Sequence, residues 1–404
     1  MTTKILKTEL DEAAAILRGG GLVAVPTETV YGLAANGLDL EAVRKIYEVK
    51  GRPAIKPLSL MVPGAEAMER YCEKVPVAAK RLAARFWPGP LTIVLKARDC
   101  VPDIVLAGGD TVGLRCPDHP MTLALLHKAG IPFAAPSANP SGEPSPKTAE
   151  QVLCYFDGQI EAVLDGGACG IGVESTLISL AQTPYRILRQ GALSGEIIAD
   201  ALVDGMAILG LTGGSGAGKT TALRVLEELG ALVLDADAVY HELLESDADM
   251  LSAISARFPG TVTESGLDRA ALGAVVFSDA TALNDLNAIT HAFISKEIQR
   301  RLREYAMAGG RIAAIDAIEL IGSGLSERCT ATFAVLADRE TRIRRVMARD
   351  GITRERAERR IDAQRPDDYF VKYCDSVLVN DGTEHAFAES CRQKFLEVLK
   401  PWMN

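Results

Sequence analysis

Apolar and polar positions along this chain follow two periods, and the changes of period mark its elements. Between Asp39 and Gly51, Val43, Ile46 and Tyr47 recur at helical spacing. That predicts a helix over 40–50, capped by the Asp39 carboxylate and stopped by the glycine. Lys50, Arg52 and Lys56 cluster at or just past its end, where cations suit the helix dipole. GGGLVAVPTETVYGL reads as a strand entering a polar turn, and LTIVL, TVGLR and IPFAA read as buried strands. The last runs into Pro136-Ser137-Ala138-Asn139. Ser137 and Asn139 are two apart, so an extended segment would point both the same way.

A second pattern opens at Met206. Ala207–Leu211 is an apolar run suited to a buried strand. Leu223, Leu226 and Leu229 then share one helical face, and Gly230 is a natural stop. Between them lies Gly213-x-x-x-x-Gly218-Lys219-Thr220, a complete phosphate-loop pattern in its proper strand–loop–helix context. Glycines let backbone N–H groups turn inward around phosphate, and the helix N-terminus adds partial positive charge. The pattern makes Gly214, Ser215, Gly216, Ala217, Gly218, Lys219, Thr220 and Thr221 the ATP-binding candidates of this half. Lys219 would reach the terminal phosphates and the Thr220 hydroxyl would hold Mg²⁺. The next strand, ALVLDAD, is expected to carry Asp235 and Asp237 on one face at its C-terminal edge, where one could accept a proton from an attacking hydroxyl. RIAAID ends in Asp316, which matches the apolar strand plus Asp that helps hold Mg²⁺ in phosphate-loop enzymes.

Residues 339–365 contain ten arginines and no lysine. Arginine alone favours bidentate phosphate contacts. Asp350-Gly351 divides two helical segments and Thr353 is placed to cap the second, which outlines a helical lid over a triphosphate.

Composition narrows the class. The chain has 404 residues, 48% apolar and 24% charged, with a net charge of −9. It is therefore globular, of two or three domains, and not a general nucleic-acid coat protein. No apolar run approaches the ~20 residues needed to span a bilayer. The acidic residues near the N-terminus are expected to exclude a signal peptide. The eight cysteines form no Cys-x-x-Cys, so neither a disulfide framework nor structural zinc is expected, and a cytoplasmic location fits. His119, His127, His241 and His291 are isolated and are read as structural or surface residues. The pattern change places the boundary between domains 1–200 and 206–404.

The C-terminal half resembles dephospho-CoA kinases. The matching pieces, in family order, are LTGGSGAGKTT, LDAD, Leu267-Asp268-Arg269, an Ile289-Thr290-His291 turn, RVMARDG, Arg360-Ile361-x-x-Gln364 and Val379-Asn380-Asp381-Gly382. The resemblance implies a phosphate-loop kinase fold with a parallel sheet, a helical substrate region and a lid carrying Arg345 and Arg349. It also implies ATP-dependent phosphorylation of the ribose 3′-hydroxyl of dephospho-CoA, with Asp237 as base and Mg²⁺ held by Thr220 and Asp316. The sequence departs from the family at His291-Ala292, where members often have His-Pro, and in DAIELIGSGL, where Ile318 and Gly322 replace Pro and Glu.

The N-terminal half, over about residues 5–195, resembles the YrdC-type threonylcarbamoyl-AMP synthases. It carries Lys50-x-Arg52 and Ser137-x-Asn139 within PTETVYGL, KGRP, GLRCPDHP, PSANPSG, VESTLI and ILRQGAL. The resemblance implies an α/β fold around a twisted sheet with a basic cleft. It implies condensation of L-threonine, bicarbonate and ATP, with Mg²⁺, to threonylcarbamoyl-AMP and pyrophosphate. The tRNA threonylcarbamoyl-transfer machinery is then the expected partner, and no membrane is. Carried over by position, Thr29, Arg115, Ser137 and Ser175 would contact threonine. Arg52, Lys56, Thr111, Asn139 and Arg189 would contact the nucleotide, and Lys50, Arg52, Ser137 and Asn139 form the catalytic set. Met61 stands near the place where many members have a His. The kinase half occupies the place of the extra domain of longer members.

The expected whole is a bifunctional enzyme. The competing readings are a YrdC-like RNA-binding module without chemistry, a kinase of another small molecule, and an inactive scaffold. A salt-steep RNA affinity, an acceptor panel and the intact Lys219 and Arg52 respectively separate them.

Overall fold

A computed structural model describes residues 2–263 and 266–403. The chain divides into two compact units, Met1–Gly205 with Met307–Gly309, and Met206–Ala306 with Gly310–Asn404.

The first unit is built on a ten-stranded mixed sheet among the described residues. Its strands are β1 (Lys4–Leu6), β2 (Val23–Val25), β3 (Gly32–Asn36), β4 (Ser59–Met61), β5 (Leu91–Lys96), β6 (Thr111–Arg115), β7 (Phe133–Ala134), β8 (Ala162–Leu164), β9 (Thr176–Ser179) and β10 (Arg186–Arg189). They lie in the order β1-β8-β2-β3-β7-β4-β6-β5-β9-β10. The β4–β6 and β5–β9 pairs are parallel, whereas β3–β7, β4–β7 and β5–β6 are antiparallel. The helices Leu10–Arg18 and Pro120–Ala129 bury Leu17, Leu125 and Leu126 against Val23, Val25 and Phe133. The helix Leu40–Lys50 forms as its spacing predicts. Asp39 Oδ1 accepts the N–H groups of Glu41 and Ala42, and Gly51 takes the left-handed conformation at φ +59°.

The second unit holds β11 (Ala207–Thr212), β12 (Leu232–Asp235), the antiparallel pair β13 (Val262–Thr263) and β14 (Gly266–Leu267), β15 (Ile312–Asp316), β16 (Ala331–Leu336) and β17 (Ser376–Val379). Five of them form a parallel sheet in the order β12-β15-β11-β16-β17. Helices cover a parallel sheet on both faces, so its inner strands are continuously apolar rather than alternating. Every residue of β11 is buried. The helices Lys219–Glu228 and Glu384–Leu399 supply Ala222, Leu226, Phe387 and Phe395 to the core beside β11 and β16. Phe333 and Phe395 meet edge to face at 5.0 Å.

Three local expectations are corrected. The strand β12 ends at Asp235, so Asp237 does not share a strand face with it. Asp235 caps the following helix, Ala236–Ser246, by accepting the N–H groups of Asp237 and Ala238, and Asp237 sits in the first turn. Ile289, Thr290 and His291 form no turn. They lie within the 28-residue helix Ala280–Met307, whose Leu286, Thr290, Ile294 and Ile298 are buried at spacings of four. Thr353 stands at the N-cap of the helix Arg354–Asp362 with extended backbone, but its side chain makes no cap hydrogen bond.

Candidate functional site

Each unit has its own constellation. In the first, a cavity opens where β4, β6 and the end of β5–β9 meet the Pro136–Ser137 segment. Its wall includes Arg52, Met61, Thr92, Arg115, Ser137, Glu174, Ser175 and Arg189. Three arginines therefore converge on one cavity, a set that binds carboxylate and phosphate through paired N–H donors.

Each arginine is held by its neighbours. Arg52, just past the helix stop, donates to the carbonyls of Lys56 and Pro57 at 3.2 and 2.9 Å and so closes its own loop. Arg115, at the end of β6, is 7% exposed. Its Nη2 donates to Glu28 Oε1 and to Thr29 Oγ1, both at 2.7 Å. Its buried Nε has no partner. Arg189, at the end of β10, donates to the carbonyl and hydroxyl of Ser175 at 2.8 and 3.1 Å and pairs with Glu174. The Ser175 hydroxyl also meets that of Thr92 at 2.8 Å.

Other expected residues lie elsewhere. Lys50 does not line the cavity. It is 3% exposed, and its ammonium donates to the main-chain carbonyls of Ser137 and Asn139. Burial, followed by the charge of Arg52, pushes its pKa down to about 8. Gathering two carbonyls onto one ammonium bends the chain, and Asn139 N–H donates to Ser137 O at 3.0 Å. Ser137 and Asn139 therefore do not share a face as an extended segment would. Ser137 bridges to Gly32 and faces the cavity. Asn139 turns its Nδ2 to the carbonyls of Pro140 and Glu143, with Oδ1 buried and unpartnered. Thr29 is buried behind Arg115, Lys56 is exposed, and Thr111 begins β6 opposite Lys96.

In the second unit the parallel register assembles the site. It pairs Leu211 with Asp316 and Asp235 with Asp316, so the ends of β11, β12 and β15 share one edge. There the phosphate loop turns into the helix Lys219–Glu228, with Gly213, Gly216 and Gly218 at positive φ. Lys219 Nζ lies 3.2 Å from Gly213 O and 3.9 Å from Asp316 Oδ1. That Asp316 oxygen is buried without a hydrogen-bond partner. Burial raises the Asp316 pKa to about 6 against the pull of Lys219. Burial, then Asp235, raises that of Asp237. Thr220 and Thr221 follow in the first helical turn.

Asp237 also lines an adjoining cavity of about 220 Å³ with Tyr240, Asn287, His291, Glu319 and the apolar Leu286, Ile294 and Leu325. Burial lowers the His291 pKa while Glu319 opposes it. Among the described residues, no group of three His, Cys, Asp or Glu side chains is arranged to hold a metal ion.

The Arg-rich segment forms two helices, Arg339–Asp350 and Arg354–Asp362, joined through Gly351. Arg345 faces the loop, donating to Gly216 O, Ala217 O and Asn380 Oδ1 at 3.3–3.4 Å. Arg349 turns instead to Asp350 at 2.7 Å. The sequence reading missed Glu28, Thr92, Glu174 and Arg342 as site residues. Glu28 had a visible signal, a lone carboxylate inside PTETVYGL. Arg342 had none, since its type is that of its neighbours.

Two family models match the chain. The Sua5/YciO/YrdC family model, described as Telomere recombination, matches residues 15–191. The model described as Dephospho-CoA kinase matches residues 207–385. A threonylcarbamoyl-AMP synthase of Pyrococcus abyssi is 50% identical over 186 residues, 46% of this chain, and the chain spans only 55% of that protein. A putative threonylcarbamoyl-AMP synthase of Mycobacterium tuberculosis is 36% identical over 200 residues, 49% of this chain and 91% of that protein. A dephospho-CoA kinase of Geobacter sulfurreducens is 41% identical over 180 residues, 44% of this chain and 91% of that protein. No described helix is long and apolar enough to cross a membrane.

Proposed function

The chain belongs to two families, the Sua5/YciO/YrdC proteins over residues 15–191 and the dephospho-CoA kinases over residues 207–385, and from that premise we propose that one polypeptide catalyses two ATP-dependent reactions. Residues 1–200 form the synthase domain and 206–404 the kinase domain. The protein works in the cytoplasm.

In the first reaction L-threonine, bicarbonate and ATP give threonylcarbamoyl-AMP and pyrophosphate. The convergence of Arg52, Arg115 and Arg189 on one cavity carries this reading. Guanidinium groups hold the threonine carboxylate, the carbamate and the phosphates in reach of each other, and positioning with charge stabilisation supplies the catalysis. Arg115, Ser137 and Ser175 face threonine; Arg52 and Arg189 face the nucleotide. Thr29 acts through Arg115. Lys50 acts through the Ser137–Asn139 backbone it holds. Lys56, Thr111 and Asn139 complete the nucleotide side as the family pattern has them. The product passes to the tRNA threonylcarbamoyl-transfer machinery.

In the second reaction the 3′-hydroxyl of dephospho-CoA attacks the γ-phosphorus of ATP. The hydroxyl proton goes to Asp237, the new P–O bond forms at the ribose, and the β–γ bridging bond breaks to release ADP. The placement of Asp237 between the phosphate loop and the second cavity carries this reading. Lys219 and the loop N–H groups other than that of Ser215, which Gln364 holds, bind the phosphates, and Arg345 covers them from the lid, while Arg349 of the same helix pairs with Asp350. Mg²⁺ fits here, because Asp316 has a buried unpartnered oxygen and Thr220 a hydroxyl in the first helical turn. When bound it neutralises charge on the phosphates.

The test is direct. The full chain is incubated with ATP and Mg²⁺, plus either L-threonine and bicarbonate or dephospho-CoA. Mass spectrometry should find threonylcarbamoyl-AMP with pyrophosphate in one sample and CoA with ADP in the other. Absence of either product overturns the corresponding half of the proposal.

A further inference from the structure

The phosphate loop is held from outside by side chains of the Arg-rich segment. Arg342 lies in the first helix of the Arg-rich segment and is 6% exposed, although arginine is almost never fully buried without partners. Its guanidinium uses all three nitrogens on three segments. Nε donates to Ser215 O, Nη1 to Asp367 and Nη2 to Gln364 Oε1, each at 3.2 Å. Gln364 closes the arrangement on Ser215 itself. Its Oε1 accepts the Ser215 N–H at 2.9 Å, and its Nε2 donates to the Ser215 hydroxyl at 2.9 Å. Ser215 is 7% exposed, so all three of its polar groups are satisfied by this pair.

The loop sequence is shaped to admit the guanidinium. Gly214 has no unusual φ, yet a Cβ there would lie 2.0 Å from Arg342 Nη2 and 3.0 Å from Gln364 Oε1. Its glycine is required by close approach, not by backbone freedom. The planar five-donor fork of arginine spreads its donors over three nitrogens and so reaches acceptors on separate residues, whereas the three donors of lysine all radiate from one nitrogen.

We propose that Arg342 and Gln364 are positioning residues of the kinase, setting ATP affinity by fixing the Ser215–Ala217 stretch in its phosphate-binding shape. The proposal rests on the kinase reading above. Arg342 and Gln364 touch the loop, and neither lines the acceptor cavity. Their loss should therefore move one Michaelis constant and leave the other.

The experiment compares full-length wild type, Arg342→Leu, Gln364→Leu, Gln364→Glu and the Leu/Leu double variant. Steady-state kinase assays vary ATP and dephospho-CoA separately, and equilibrium dialysis measures ATP binding directly. Each Leu variant should raise the KM and Kd for ATP about tenfold, with the KM for dephospho-CoA within about twofold of wild type. The double variant should lose less than the product of the singles, because the two share one network. Gln364→Glu keeps the acceptor for Ser215 N–H and Arg342 and should recover most of the ATP affinity. The proposal is overturned if ATP affinity stays within about twofold, or if both Michaelis constants rise together as in general loss of structure. Threonylcarbamoyl-AMP synthesis reports folding of the rest of the chain. Should Arg342→Leu fail to fold, the Gln364 pair decides alone. If wild type phosphorylates no dephospho-CoA but binds ATP, the kinase reading fails and the dialysis arm still tests the positioning.

Discussion

Lys50→Met is the sharpest perturbation of the first unit, because two large terms oppose each other. Methionine fills similar space without the charge. In the wild type a lysine with pKa moved from 10.5 to about 8 burdens the charged folded state by about 3 kcal/mol. Removing the ammonium removes that burden. It also strips the carbonyls of Ser137 and Asn139 of their donor, at about 1–3 kcal/mol each for a buried polar group left unsatisfied. Near neutral pH the terms nearly cancel, leaving a net change between a gain of about 1 and a loss of about 3 kcal/mol. The pH dependence separates them. Between about 8 and 10.5 the unfolded chain still holds the lysine proton while the folded chain has released it, so wild-type stability rises with pH across that window. The methionine variant lacks this gain. Its deficit relative to wild type should grow by up to about 3 kcal/mol as pH climbs through the window. Denaturant unfolding of both proteins at several pH values measures it, with threonine-dependent pyrophosphate release as the activity readout. Activity should fall at every pH, since the bend presenting Ser137 loses its anchor. A deficit that is flat or shrinks with rising pH, or undiminished synthase activity, would refute the reasoning.

Three further outcomes are expected. Lys219→Ala should abolish CoA formation and spare threonylcarbamoyl-AMP synthesis, while Arg52→Ala should do the reverse; paired product assays check both. Asp316→Asn should stabilise the kinase unit near neutral pH by about 1–3 kcal/mol, because burial raises the carboxyl to about 6 and the folded state is charged there at a cost. The gain should shrink as pH falls through that value, and thermal unfolding with a kinase assay should show the more stable protein to be inactive. Gly214→Ala should weaken ATP binding at least as much as Arg342→Leu, because its Cβ would meet the guanidinium at 2.0 Å; equilibrium dialysis decides.

Local chemistry was legible wherever a residue's own neighbours decide its state. The Asp39 cap, the Gly51 stop, the buried runs of β5, β6 and β11, and the phosphate loop all follow from spacing within a dozen residues. Two elements were misread. ALVLDAD was extended to Asp237 because period-two alternation fits a strand, but an Asp at a strand end closes the next helix more effectively through its own side chain. The family resemblance makes Ile289–His291 a turn, whereas these residues continue a 28-residue helix with a buried stripe at spacings of four.

Short-range physics, namely capping, periodicity and the phosphate loop, made most of the elements, the two patterns of the chain and the phosphate-binding type of the second site legible from the residues alone. Tertiary structure decided which side chains of the same type serve which purpose. Arg342 and Arg349 are seven residues apart in one helix, yet one braces the phosphate loop from a buried position and the other pairs with Asp350 at the surface. Lys50 and Arg52 are two apart, yet one is committed to backbone carbonyls and the other lines the cavity. Asp316 is a candidate ligand from its strand alone, but parallel register is what sets it beside Leu211 and Asp235 at one edge. Charge, reach and burial of a long side chain depend on what the fold brings opposite it, and residues more than a hundred positions away supply that.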